Sequence, residues 1–361
     1  MNYKILLITT LSSLLFSSLS AQSETEVRTF MKTVPVGKQT SLEVNNKYGS
    51  IHITPWNKDS ACIRAEVKAY ASNHEKLRKM FDGININIAE TSFIIRAQTD
   101  FNQNVNMFFE SFKGMTSKLI SYDSRVEINY FISIPEYLNL KIENKYGDVY
   151  MENSSGMFSV SVTNGSFKAN SLGSESSLTL AFCDAKINSI SSGKLDASFS
   201  DLTIDETGDL TINSLSSKFE IKKAGSIKTE SKRDKFYIDN IETLKGNSYF
   251  TDFRIRNLNK KLDLTTRYGS IDADLIEKQF EEIIINSGYS DISLRFFQGS
   301  SYNYDIRHNN SFLVLPDKDL KPDKKVLNEE KKEFMSFGTV GKSPGTVKVK
   351  IDATRGNIYL K

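Results

Sequence analysis

Three stretches carry nearly the same nine residues: NNKYGSIHI (45–53), ENKYGDVYM (143–151) and TTRYGSIDA (265–273). Aligned on the residue after the Tyr-Gly pair, the second copy opens a longer column. It runs Asp148, Ser166, Asp184, Asp201, Lys218, Lys235, Asp252, Ser270, Asp291 and Ser311, with spacings of 18, 18, 17, 17, 17, 17, 18, 21 and 20 residues. A further copy sits at Asn357 in RGNIYL. A period held over this length marks a repeat architecture.

The neighbouring columns agree. One residue upstream is usually small: Gly49, Gly147, Gly165, Cys183, Ser200, Ser217, Thr251, Gly269, Ser290 and Gly356, with Asp234 and Asn310 as exceptions. Two residues upstream is often aromatic: Tyr48, Tyr146, Phe182, Phe199, Phe250, Tyr268 and Tyr289. Before each corner apolar residues alternate, as in Leu42/Val44, Leu140/Ile142 and Leu262/Leu264. Alternation on both sides of a small-residue corner spells strand, turn, strand.

Two architectures fit that reading. One is a β-solenoid, in which each unit is one coil and equivalent residues stack. The other is an antiparallel meander with Asn164-Gly165 as a hairpin turn. The constancy of the column favours stacking, because a one-residue slip would flip every later side chain. The expected fold is therefore all-β: a β-solenoid, right-handed β-helix-like, of about 17–20 residues per coil. Gly or Ser at the corner would allow a positive φ or a close backbone approach. The aromatics beside it would stack and bury area, and Cys183 would be a small buried filler. On that reading the repeated Tyr and Gly are corner residues, not three copies of a site.

The N-terminus reads as a signal peptide over 1–21: Lys4, then ILLITTLSSLLF, then small residues. An N-terminal β region with one helix and an aromatic insert is expected over 22–139, and the repeat region over 140–361. Ser72 and Glu75 form a capping box, and Leu77, Met80 and Phe81 make an apolar stripe. NVNMFFESFKGM (104–115) reads as a loop or short helix covering one end of the coils. A charged excursion spans 316–346. Its proline- and charge-rich part, 316–334, reads as an exposed, mobile segment between two coils.

The charge balance is +3 over 361 residues, which argues against nucleic-acid binding. No later apolar run is long enough for a membrane-spanning helix. His52, His74 and His308 are scattered, with no metal spacing, phosphate loop or nucleophile motif. No catalytic, metal or cofactor residues are assigned. The two cysteines, Cys62 and Cys183, give no disulfide framework, and whether they pair is open. The one catalytic suspect is the acidic column. Asp184 and Asp201 would stack in adjacent coils and could act as an acid/base pair or hold Ca²⁺. The plainer reading is a polar ladder with exposed Asp201/Lys218 and Lys235/Asp252 pairs.

LEVNNKYGSIHI, YFISIPEYLNLKIENKYGDVYM and KLDLTTRYGSIDAD together resemble a bacterial family of exported, adhesin-like β-strand repeat proteins of unknown function. The family is similar in style to the head domains of autotransporter adhesins. The resemblance implies a β-repeat fold at the cell envelope, in the periplasm or on the surface. It also implies an adhesive or scaffold role toward a glycan or an envelope protein, without catalysis, cofactor or metal. A carbohydrate-active β-helix enzyme is the alternative.

Overall fold

The computed structural model describes residues 24–102, 124–316, 323–341 and 348–361. The signal segment at 1–21 and the aromatic insert at 104–115 lie outside the described residues. The first part of the chain forms β1 (Glu24–Pro35), β2 (Ser41–Lys47), β3 (Ile51–Pro55), β4 (Ser60–Ala71), α1 (His74–Asp82), β5 (Ile84–Glu90), β6 (Ile94–Phe101) and β7 (Ser124–Ile134). Then come β8 (Asn139–Lys145), β9 (Val149–Ser154), β10 (Phe158–Leu172), β11 (Ser176–Ser198), β12 (Asp201–Leu215), β13 (Lys218–Lys232) and β14 (Lys235–Tyr249). The chain finishes with β15 (Asp252–Ile276), β16 (Glu282–Phe296), β17 (Tyr302–Val314), β18 (Asp323–Asn328), β19 (Glu333–Val340) and β20 (Lys348–Leu360).

From β8 onward the repeats pair in parallel, which excludes the meander and makes a solenoid. Asp184 lies opposite Asp201, Asp201 opposite Lys218, and Lys218 opposite Lys235. Each coil pairs with the next in three runs, as at 201–204, 206–207 and 209–215, within one continuous sheet that coils around a core. Its inward residues fill that core. Phe219, Phe236 and Phe253 stack there with centroids 4.5 and 5.0 Å apart, almost wholly excluded from solvent. Burying rings of this size is a large part of what holds the coils together.

The corner explains the repeat. A Cβ added to Gly147 would sit 1.9 Å from the carbonyl oxygen of Gly49, and one on Gly165 would sit 2.0 Å from that of Gly147. Adjacent layers meet too closely there for any side chain pointing that way. At four successive positions that are not Gly, the side chain becomes an acceptor for the layer before. The backbone N–H of Cys183 donates to Ser200 Oγ at 3.1 Å, that of Ser200 to Ser217 Oγ at 3.2 Å, and that of Ser217 to Asp234 Oδ1 at 2.7 Å. The N–H of Asp234 passes on to Thr251 Oγ1 at 3.3 Å. Asp234, an exception by size, is thus the same device with a carboxylate. Its Oδ2 also accepts from Ser214 Oγ and Ser231 Oγ, both at 2.6 Å. Buried N–H groups need such partners.

The positive φ, however, falls one residue earlier than expected, on the aromatic position. Tyr48, Tyr146, Phe182, Phe199, Phe250, Tyr268 and Tyr289 all have φ between 50° and 66°, and Asn164, Ser216, Arg233, Asn310 and Arg355 hold the equivalent place in other layers. Of the corner glycines named above, only Gly356 shares this conformation, at φ 97°. Glycine is used at the others for closeness of approach, not for handedness.

The first copy of the motif stacks directly on the second, although nearly a hundred residues separate them. Asn45 pairs with Glu143 and Ile51 with Val149. The intervening chain caps that end. β6 runs parallel beside β2 and β7 beside β3; β4 then pairs antiparallel with β7, β1 with β4, and β5 with β6. Helix α1 buries Leu77, Met80 and Phe81, as the stripe predicts. Its cap is Asn73, whose Oδ1 accepts from the Lys76 N–H at 2.9 Å, and not Ser72. Asparagine caps at least as well as serine, and the one-residue shift keeps the stripe inward.

At the other end the spatial order departs from chain order. β20 lies between β16 and β17, parallel to both, so Ile351 sits between Ile285 and Ile306. Asn357 therefore follows Asp291, and its N–H donates to Asp291 Oδ1 at 2.8 Å. Ser311 pairs with Gly356 and stands one residue off the column. Over its described part the charged segment forms strands. β18 and β19 form an antiparallel hairpin, and β19 pairs along β17 from Tyr302/Val340 to Asn309/Glu333. The exposed edge of β17 needs a partner, and EFMSFGTV supplies one. Both cysteines are free, and Cys183 is buried in the small column, as its position predicts.

Two predictions follow from the corner. Gly165→Ala is expected to lower stability by about 3 kcal/mol, while Gly37→Ala, with nothing within 4 Å of the new Cβ, changes it by less than about 0.5 kcal/mol. Urea denaturation of both variants checks this. Ser217→Ala strands the Ser200 N–H and should cost about 1–3 kcal/mol; Asp234→Ala removes several bonds at once and should cost more in the same measurement.

Candidate binding surface

Strict alternation would place the corner aromatics inside, yet the left-handed turn throws them outward. Phe182 is 57% exposed, Phe199 50%, Phe250 49% and Tyr146 39%. They stack on one another along one edge of the solenoid. Tyr48 and Tyr146 are 5.5 Å apart, Phe182 and Phe199 5.0 Å, Phe250 and Tyr268 4.9 Å, and Tyr268 and Tyr289 5.0 Å. Cations flank the ladder: Arg267 reaches the ring of Tyr268, and Arg355 lies 5.0 Å over Tyr289 while donating to its hydroxyl at 3.1 Å. The expected burial of these rings is therefore corrected: they form an external ridge.

A left-handed backbone at a non-glycine residue costs about 1–2 kcal/mol. A stacked aromatic pair returns about 0.5–1.5 kcal/mol. The two nearly cancel, and Ser216 fills the same corner at φ 52° without a ring. The rings are thus not needed to make the turn.

Beside the ridge runs the polar column on the outer face of the post-corner run. Two open grooves lie along it. One, of about 420 Å³, is lined by Ser166, Lys168, Asp184, Lys186 and Asp201 among others; the second, of about 400 Å³, lies around Lys235, Tyr237, Asp252 and Arg254. Asp184 and Asp201 do face each other across the layers, as the column predicts. Lys218, however, reaches Glu220 of its own strand at 2.5 Å rather than pairing with Asp201. Among the described residues no group of three or more His, Cys, Asp or Glu side chains comes together as a metal site.

Nearer the N-terminal cap the same face carries a second stack, not singled out from the sequence. Arg64 lies 4.3 Å over Phe131, Phe131 is 5.2 Å from His52, His52 is 4.6 Å from Tyr150, and Lys168 is 5.6 Å over Tyr150. Each of these residues alternates with buried neighbours, so only the stacking was invisible in one dimension. Ser50 Oγ lies 2.9 Å from His52 Nε2, which invites comparison with a hydrolase dyad. But Ser50 Oγ donates to Asn129 Oδ1 at 2.7 Å. It therefore accepts from His52, the reverse of what activating a serine needs. Cys183 is no better a nucleophile, since burial pushes its thiol up to about 12.

No protein-family model matches the chain, and no curated protein matches it. Similar solved structures include a "putative cell adhesion protein" from Clostridium sporogenes, at 11% identity over 93% of this chain and 99% of that one, with a TM-score of 0.17. Two others are each described as a "putative adhesin". The one from Parabacteroides distasonis has 8% identity over 92% of this chain and 97% of that one, TM-score 0.30; the one from Bacteroides fragilis has 11% identity over 92% and 97%, TM-score 0.20. At such TM-scores the role of this chain has to be read from its own surface.

Burial lowers the His52 imidazole below its ordinary 6.5, against a smaller opposing pull from Asp148. Burial likewise lowers His308, against its hydrogen bond to the Ser311 carbonyl. A lowered imidazole means that the folded state takes up a proton less readily than the unfolded chain. The associated stability is present above 6.5 and is lost as the pH falls through and below it. The urea midpoint is expected to drop between about pH 7.5 and about pH 5.5, and the drop should shrink in His52→Gln and His308→Gln.

Proposed function

We propose that this chain is an exported cell-envelope protein that binds its partner without transforming it, an adhesin-like module whose contact surface is the corner ridge. The single observation behind this reading is the exposure of stacked aromatic rings at left-handed corners that serine, asparagine and arginine also occupy in the same stack. Rings that neither form the turn nor fill the core are best accounted for by something they touch outside the molecule. The leader over 1–21 carries the export part of the reading, to the periplasm or the cell surface. The partner is a glycan or another envelope protein, and the reading calls for no metal or cofactor.

A second reading has one observation in its favour. Asp184 and Asp201 face each other in a groove beside Lys168 and Lys186, an arrangement that a polysaccharide-cleaving enzyme could use. The two readings separate in one experiment. The triple variant Phe182→Ser, Phe199→Ser, Phe250→Ser is compared with Asp184→Asn, Asp201→Asn for binding to immobilised envelope preparations and for polysaccharide breakdown. Loss of at least about tenfold in binding in the serine variant, with its melting temperature within about 3 °C of the parent, supports the binding role. Full binding by the serine variant, or breakdown abolished in the asparagine variant, would sink it.

A further inference from the structure

The ridge is broken in two places, and the breaks differ. Between Phe199 and Phe250 two layers lack a ring, and Arg233 occupies one of them. Between Tyr146 and Phe182 only one layer lacks a ring, and its corner residue is Asn164, which is exposed. Tyr146 stacks on Tyr48 at 5.5 Å with the planes 14° apart, and Phe182 on Phe199 at 5.0 Å with the planes 3° apart. Each therefore has one face engaged and the other turned toward the Asn164 layer. Layers repeat at about 4.8 Å, so the two free faces stand roughly 10 Å apart, the room of one ring stacked between two.

The surroundings of this gap are polar and small. Thr163 and Ala181 flank it on the pre-corner side, in register with Lys145. The groove lined by Ser166, Lys168, Asp184 and Lys186 runs along the residues that follow the same corners. Phe182, on the rim, is the most exposed of the ridge rings.

We infer that the gap at Asn164 is a saccharide subsite that seats one pyranose ring between Tyr146 and Phe182, with the Asn164 amide at its floor. The inference rests on the binding role proposed above and names its ligand class. A slot with an aromatic face on each side selects a ring that is apolar on both faces and polar at its rim. A pyranose with all substituents equatorial, as in β-1,4-linked glucose or N-acetylglucosamine chains, is such a ring. Its C–H groups meet the aromatic faces, and its hydroxyls meet Asn164 and Thr163. The adjoining sugars run out over the groove, where Lys168, Asp184 and Lys186 offer donors and acceptors. A purely aromatic occupant would leave the amide and these charges unused.

The test is calorimetric titration of the mature protein with cellopentaose and with chitopentaose, with mannopentaose as a probe that carries an axial hydroxyl on one face. Wild type is expected to bind at least one equatorial probe and to bind mannopentaose more weakly. Tyr146→Ala and Phe182→Ala should each weaken binding roughly three- to tenfold, and Phe93→Ala, an exposed ring of the N-terminal cap that is not part of the ridge, should leave it unchanged. Asn164→Phe is the decisive variant. It completes the ridge from Tyr48 to Phe199, so a partner that reads the ridge as a whole is kept, while a sugar that enters the gap is shut out. Thermal melting confirms that it folds, and Asn164→Gly, which keeps the gap open but removes the amide, should bind more weakly than wild type yet clearly better than Asn164→Phe. Wild-type titration of Asn164→Phe, or no heat from either equatorial probe with wild type, overturns the inference. If the latter occurs while the ridge variants still lose envelope binding, the general binding role stands and only the saccharide subsite falls.

Discussion

The constraint on which the rest of this molecule depends is the contact between successive backbones at the corner. Layers meet there at a distance that excludes a Cβ directed at the neighbour, as at Gly147 and Gly165. Two solutions appear in one chain. Glycine removes the obstacle, and Ser, Thr or Asp turns it into a hydrogen-bond acceptor for the previous layer, as from Ser200 through Thr251. Both hold the next residue in register. The near-constant period of 17 or 18 residues is the sequence record of that contact.

The same contact decides where the aromatic side chains go. Turning the chain tightly into such an approach requires a left-handed residue just before it, and that residue points away from the core. The interior and exterior then run separate aromatic stacks. Phe219, Phe236 and Phe253 bury their rings inside the coils. The ridge rings lie outside, at little net gain to the fold. The interior stack belongs to stability, and the exterior one adds little to it.

Much of the architecture was legible in the sequence because side-chain parity and period are one-dimensional properties. The column from Asp184 to Lys235, the parallel stacking and the burial of Cys183 all follow from counting residues. The ridge was not legible, and for a definite reason. Leu178, Leu180 and Phe182 share one parity, so alternation places Phe182 inside; the φ of 52° at Phe182 breaks that alternation. The Phe131–His52–Tyr150 stack was hidden for another reason: its members come from chain segments far apart. Likewise β19, EFMSFGTV at the end of the charged segment, pairs along β17, because an unpaired strand edge demands a partner.

The interposition of β20 between β16 and β17 bears on how the chain reaches this state. As residues emerge in chain order, each repeat coil can settle on the one before it, up to β16. The slot beside β16 then has to wait, because its occupant lies about fifty residues further on, which at cellular synthesis rates is a delay on the order of seconds. During that interval β17 and its hairpin exist without the strand that joins them to the stack. The molecule therefore closes like a drawer rather than growing like a column. Until that last insertion the edge of β16 stands unpaired, and an unpaired strand edge is open to other chains.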